Sequence, residues 1–182
     1  YDGQVEDGRA LISGRLTIEV LADGLIALPL SLGGVGIRSA TLDGQSAPLA
    51  REGQHPVLLV QGKGLHQLDL HLTTPLVMSA AQQTLQVALP TGAATKLTLS
   101  VPGNVEVKGG AAVVNRTFDM AANRTQLELQ PERGEMTIVM SLNNRLLQEQ
   151  RLLVARSVIV DEVTQAYERI HATVSYRVLH GV

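Results

Sequence analysis

At 182 residues the chain is long enough to bury roughly 70% of the surface its unfolded form exposes, so size alone demands neither a disulfide nor a metal. A formal charge of -2 gives no field that would gather nucleic acid or anionic lipid, and the absence of cysteine excludes a disulfide framework. Hydrophobic residues make up 45% of the chain but aromatics only 2%, so the core must be aliphatic and the stacking faces used by glycan platforms and single-strand grooves are scarce.

The first eight residues, YDGQVEDG, are polar and acidic, unlike the basic and then apolar opening of a signal peptide, so the sequence reads as a mature or excised piece. They suggest at most a short edge strand. From Arg9 to Leu32 the pattern is clear: Ala10, Ile12, Leu16, Ile18 and Val20 alternate with polar residues, Asp23-Gly24 offers a tight turn, and Ile26, Leu28, Leu30 and Leu32 resume the alternation. This predicts a strand, a turn and a returning strand. A third strand is expected over Ile37 to Leu42, with Asp43-Gly44 as a hairpin tip and Pro48 limiting the return.

Val57 to Gln61 is another apolar run, and Gly62-Lys63-Gly64 turns it into Leu65 to Thr73. There His66, Leu68, Leu70 and Leu72 share one face, leaving Gln67, Asp69, His71 and Thr73 on the wet one. Pro75 and the small residues after it suggest a boundary near residue 76, giving a first β unit at 1–76 and a second at 77–182. The second unit continues the alternation through Leu85, Val87 and Leu89, then Leu97, Leu99 and Val101. Residues 105–114, punctuated by Gly109-Gly110, read as a short hairpin; Leu127 with Leu129, and Met136 with Ile138 and Met140, mark later strands. Asn143-Asn144 suggests a turn.

Period two fades over residues 145–170, where a helix competes, but Val158, Ile159 and Val160 favour a strand from Arg151 to Val160. Alternation returns at Ile170, Ala172, Val174, Tyr176 and Val178. LTIEVLADG (16–24) lies naturally beside VSYRVLHG (174–181), so residues 156–182 read as the start of a further repeat. The longest run without Asp, Glu, Lys or Arg, residues 70–95, holds two prolines and many polar residues and is no bilayer-spanning helix.

Chemistry is thinly signposted. Asp69 and His71 sit two apart on a wet strand face, where a third ligand would complete a metal site; an exposed polar face is the plainer reading. Asp2, Glu6 and Asp7, joined by Asp161 and Glu162 if the two stretches meet, would suit calcium, although the spacing matches no EF-hand. There is no GxSxG elbow, no SxxK pair, no HExxH and no phosphate loop. Asn115-Arg-Thr117 and Asn123-Arg-Thr125 are glycosylation acceptor patterns, relevant only on a eukaryotic secretory route.

The expectation is an all-β fold: an antiparallel β-sandwich of one large or two small units, Ig-like or jelly-roll-like. The Leu-Pro and Asp-Gly punctuation resembles, in style alone, tandem sandwich modules of large exported bacterial proteins. The functional expectation is a non-catalytic spacer or protein-interaction module, periplasmic or extracellular, with a neighbouring module or protein as partner, no catalytic residues and no cofactor. The alternative is a small-ligand or glycan-binding sandwich, calcium-assisted. Neither nucleic acid nor membrane insertion is expected.

Overall fold

The computed structural model describes residues 1–53, 55–79, 82–92, 94–131, 135–142, 151–164 and 168–180. The fold is all-β, and among the described residues no helix is long and apolar enough to cross a membrane. The chain divides into two compact units, Tyr1–Leu142 and Asn143–Val182.

In the first unit the strands are β1 (Asp2–Glu6), β2 (Arg9–Val20), β3 (Leu25–Pro29), β4 (Gly36–Leu42), β5 (Gln45–Ser46), β6 (Leu49–Glu52), β7 (His55–Gln61), β8 (Gly64–Met78), β9 (Gln82–Ala88), β10 (Leu97–Pro102), β11 (Val105–Gly109), β12 (Ala112–Asp119), β13 (Arg124–Gln130) and β14 (Glu135–Leu142). A large mixed sheet runs β11-β14-β9-β8-β2-β1-β10-β13-β12, with β4 and β5 attached through β8. A smaller sheet runs β3-β7-β6.

The longest strand, β8, holds the large sheet together. It pairs with β2 from Gly64 to Pro75 and with β9 from Leu76 to Met78, so residue 76 is where an unbroken strand exchanges one neighbour for another. Its period-two pattern sends Leu68, Leu70, Leu72, Thr74 and Leu76 inward, all buried, while Gln67, Asp69, His71 and Thr73 alternate to the other side. The same rule buries Ala10 and Ile12 of β2, Leu85 and Val87 of β9, Leu97, Leu99 and Val101 of β10, Leu127 and Leu129 of β13, and Ile138 and Met140 of β14. Leu58 and Val60 of β7 join this cluster, which packs the small sheet against the large one. Each buried Leu, Ile, Val or Met side chain stabilises the fold by about 1.5 to 3 kcal/mol, before conformational entropy is charged against it.

Several expected pairings are corrected. β2 and β3 follow each other through Asp23-Gly24 but do not pair: β2 pairs with β1 over Arg9–Ser13 and with β8 over its whole length, while β3 crosses to the small sheet and pairs with β7. Residues 105–114 do not form a hairpin either, because β11 pairs with β14 and β12 with β13. The lead-in strand β1 lies inside the sheet, antiparallel to β2 and parallel to β10, so the sheet is mixed where a wholly antiparallel one was expected. This parallel seam and crossed connectivity also depart from the Ig-like order of strands. Asp43-Gly44 does form a tight turn between β4 and β5, with Asp43 in the left-handed region at φ 52°.

The second unit contains β15 (Arg151–Val163) and β16 (Glu168–His180), antiparallel along their whole length. The strand reading of Arg151 to Val160 therefore holds over the competing helix. The Asn143-Asn144 turn lies outside the described residues.

Candidate functional site

The polar side of β8 gathers chemistry-bearing residues in register. Cross-strand pairing sets Ser13 opposite His71 and Arg15 opposite Asp69, while β4 sets Ser39 and Thr41 opposite the same two residues from the other side. With Asp2 of β1, the side chains of Ser13, Arg15, Thr41, Asp69 and His71 line an open depression of about 570 Å³. Among the described residues no aromatic ring lines it.

Asp69 and His71 thus share a wet face, as their spacing implies, but each is engaged sideways. Arg15 Nε donates to Asp69 Oδ1 at 2.8 Å and Gln67 Nε2 to Oδ2 at 3.0 Å. These two bonds, the arginine's first, hold the Asp69 carboxyl below its ordinary range. His71 Nδ1 shares a hydrogen bond with Ser13 Oγ at 3.1 Å. Among the described residues no group of three His, Asp or Glu side chains converges as a metal site. Asp2 and Glu6 fall on β1, where Gln4 Nε2 donates to Glu6 Oε1, and Asp7 enters the following turn at φ 47°.

A second polar cluster, at the end of the same strand, was not visible in the sequence. Asp43 Oδ1 accepts from the Gln67 N–H at 2.8 Å, and its Oδ2 lies 2.7 Å from Nδ1 of His66. His66 was expected on the apolar face of β8, and its side chain is 15% exposed. The Gln67 amide and, behind it, the imidazole hold the Asp43 carboxyl down; the Asp43 carboxylate and then the Gly62 carbonyl raise His66 against the opposing effect of burial.

Elsewhere the polar interior is structural. Thr125, fully buried, donates to the Gly103 carbonyl at 2.6 Å and accepts from the Val105 N–H at 3.0 Å, closing the β10–β11 turn. Arg124 reaches across the parallel seam, with Nε on Ser100 Oγ at 2.9 Å and one Nη on the carbonyls of Val5 and Ser100, each at 3.1 Å. Tyr1 donates its hydroxyl to the Pro90 carbonyl at 2.7 Å, and burial pushes the phenol up to about 12. All three bond to backbone groups at buried or half-buried positions.

This arrangement is that of an all-β protein with a polar strand face on which Arg15 pairs with Asp69 and Ser13 with His71. No family model and no curated protein matches the sequence. Among solved structures it is similar to an M1 zinc metallopeptidase from Deinococcus radiodurans, at 10% identity and a TM-score of 0.45 over 95% of this chain and 45% of that one. A mutant M1 zinc metallopeptidase from Deinococcus radiodurans bound to a Tyr-Ser-Ala substrate gives 13% identity and 0.45 over the same shares. A two-domain M1 zinc metallopeptidase mutant bound to L-tryptophan gives 10% identity and 0.46, over 95% of this chain and 46% of that one. The chain spans less than half the length of these structures, and no residue role is carried over from them.

Proposed function

We propose that this chain is a non-catalytic β module, a spacer or protein-interaction unit of a larger exported bacterial protein that works in the periplasm or outside the cell. The observation that supports it most is the ribbon β15–β16. Val154, Val158, Ile159, Val160, Val163, Ile170, Val174 and Tyr176 are all exposed on it. Ile159, Val163, Ile170, Val174 and Tyr176 share one side of it, a two-stranded ribbon is marginal in water by itself, and an exposed apolar row of this kind marks contact sites. The polar face of β8 adds weight from the other side, since Arg15, Asp69, Ser13 and His71 are committed to one another.

Light scattering over a wide concentration range, with cross-linking of the chain in its natural flanking sequence, tests this reading. Association or specific cross-links through 151–180 is the expected result. A monodisperse species at every concentration, with no cross-link from the ribbon, overturns it. A thermal shift with monosaccharides or calcium would replace it by ligand binding at the open depression.

A further inference from the structure

The loops at the far end of β8 carry a feature independent of that proposal. Asp43-Gly44 closes the β4–β5 turn and Gly62-Lys63-Gly64 closes the β7–β8 turn, and the His66 ring lies between them. Its Nδ1 is 2.7 Å from Asp43 Oδ2 and its Nε2 is 3.2 Å from the Gly62 carbonyl oxygen. Both neighbours are acceptors only. A neutral imidazole carries one N–H and can satisfy one of them, whereas the imidazolium donates to both. Asp43 is fixed for this task by two backbone bonds: its N–H donates to the Gln67 carbonyl at 2.9 Å and its Oδ1 takes the Gln67 N–H. The Gly62 N–H in turn donates to the Gly24 carbonyl at 3.1 Å, which brings in the β2–β3 turn.

We infer that His66, Asp43 and Gly62 form an acid-closed clasp: the protonated His66 ring donates to both the Asp43 carboxylate and the Gly62 carbonyl and so links the β4–β5 turn to the β7–β8 turn. The β7–β8 turn is bonded in its own right to the β2–β3 turn, and loss of the proton releases one of the two ring bonds. Ile18 is the residue opposite His66 on β2, Glu19 pairs with Leu65 and so alternates to the other side, and Asp23 and Lys63 sit in the adjoining turns. Asp43 is the charged group within ion-pair distance of the ring among the described residues.

The direction follows from linkage. His66 is raised above its ordinary 6.5, so its contribution is complete below that value and is lost as pH rises through the raised midpoint. Asp43 is lowered from 3.8, so its contribution is present above that value and is lost as pH falls through the lowered one. The clasp is therefore tightest between the two ordinary values and opens on the alkaline side.

A nuclear magnetic resonance titration of the whole chain reads this directly. The His66 ring is expected to titrate above 6.5, with the backbone amide signals of Gly24, Gly44 and Gly62 moving with the same midpoint. Asp43→Asn keeps an acceptor for the Gln67 amide and tolerates positive φ while removing the charge. It should return the His66 midpoint toward 6.5 and abolish the coupled movement of the turns. A wild-type ring that titrates at or below its ordinary value, turn signals that stay flat through its titration, or an Asp43→Asn chain that titrates like the wild type would each overturn the clasp.

Discussion

Residues 1–142 and the ribbon at 151–180 use the same alternating aliphatic code with opposite outcomes. In the first unit the inward rows of β2, β8, β9, β10, β13 and β14 meet each other, and Leu68, Leu70, Leu85, Leu97, Leu99, Leu127, Leu129 and Ile138 are fully buried. In the ribbon, pairing places Ile159, Val163, Ile170, Val174 and Tyr176 on one side, yet they stay between 49% and 70% exposed. Alternation thus specifies that a face needs covering. What covers it is decided by how many other faces lie within reach, and one strand pair cannot cover itself.

The sharpest way to break this contrast is a matched pair of truncations. Leu70→Ala, at the centre of β8, should lower stability in urea unfolding by about 2 to 5 kcal/mol, because the packed neighbours cannot close over the void. Ile159→Ala should change it by no more than about 0.5 kcal/mol. Equal losses at the two positions would mean that the ribbon is as well covered as the core.

A smaller effect sharpens the same contrast on the polar side. Thr125→Val keeps shape but removes the partner of the Gly103 carbonyl and of the buried Val105 N–H in a half-buried turn, so a loss of about 2 kcal/mol is expected in the same unfolding measurement. Arg15→Met on the wet face should cost much less, since exposed ion pairs contribute little. Smallest for the fold itself is Ile159→Ser, near zero in unfolding. It should nevertheless weaken self-association or neighbour contact about tenfold in sedimentation equilibrium.

Local chemistry was readable wherever it acts over a few residues. Asp43-Gly44 announced its turn, and the stagger of Leu68, Leu70 and Leu72 against Asp69 and His71 gave both faces of β8 correctly. Partner choice was not readable, because the partner strands are far away in the sequence. The Asp23-Gly24 turn looks like a hairpin, yet the strand that follows it pairs with β7 of the small sheet. Site geometry failed for the same reason. The Asp69–His71 adjacency is local, but Arg15 and Ser13, which absorb them, lie 54 and 58 positions away. The His66–Asp43 contact spans 23 positions, and period two placed His66 on the apolar side without showing that its rim is open to a carboxylate.

The parallel seam between β1 and β10 has a consequence for biogenesis. Residues Asp2 to Gln4 lie alongside Thr98 to Ser100, so during synthesis β1 waits for its second neighbour until the chain has grown by almost a hundred residues. At ribosomal speeds that is roughly 5 to 20 s with one rim of the nascent hairpin β1–β2 unpaired. Non-local pairing of this kind also slows the search for the native register. Maturation of this molecule should accordingly be paced by late closure of the seam, with β10 acting as the keystone that ends the exposure.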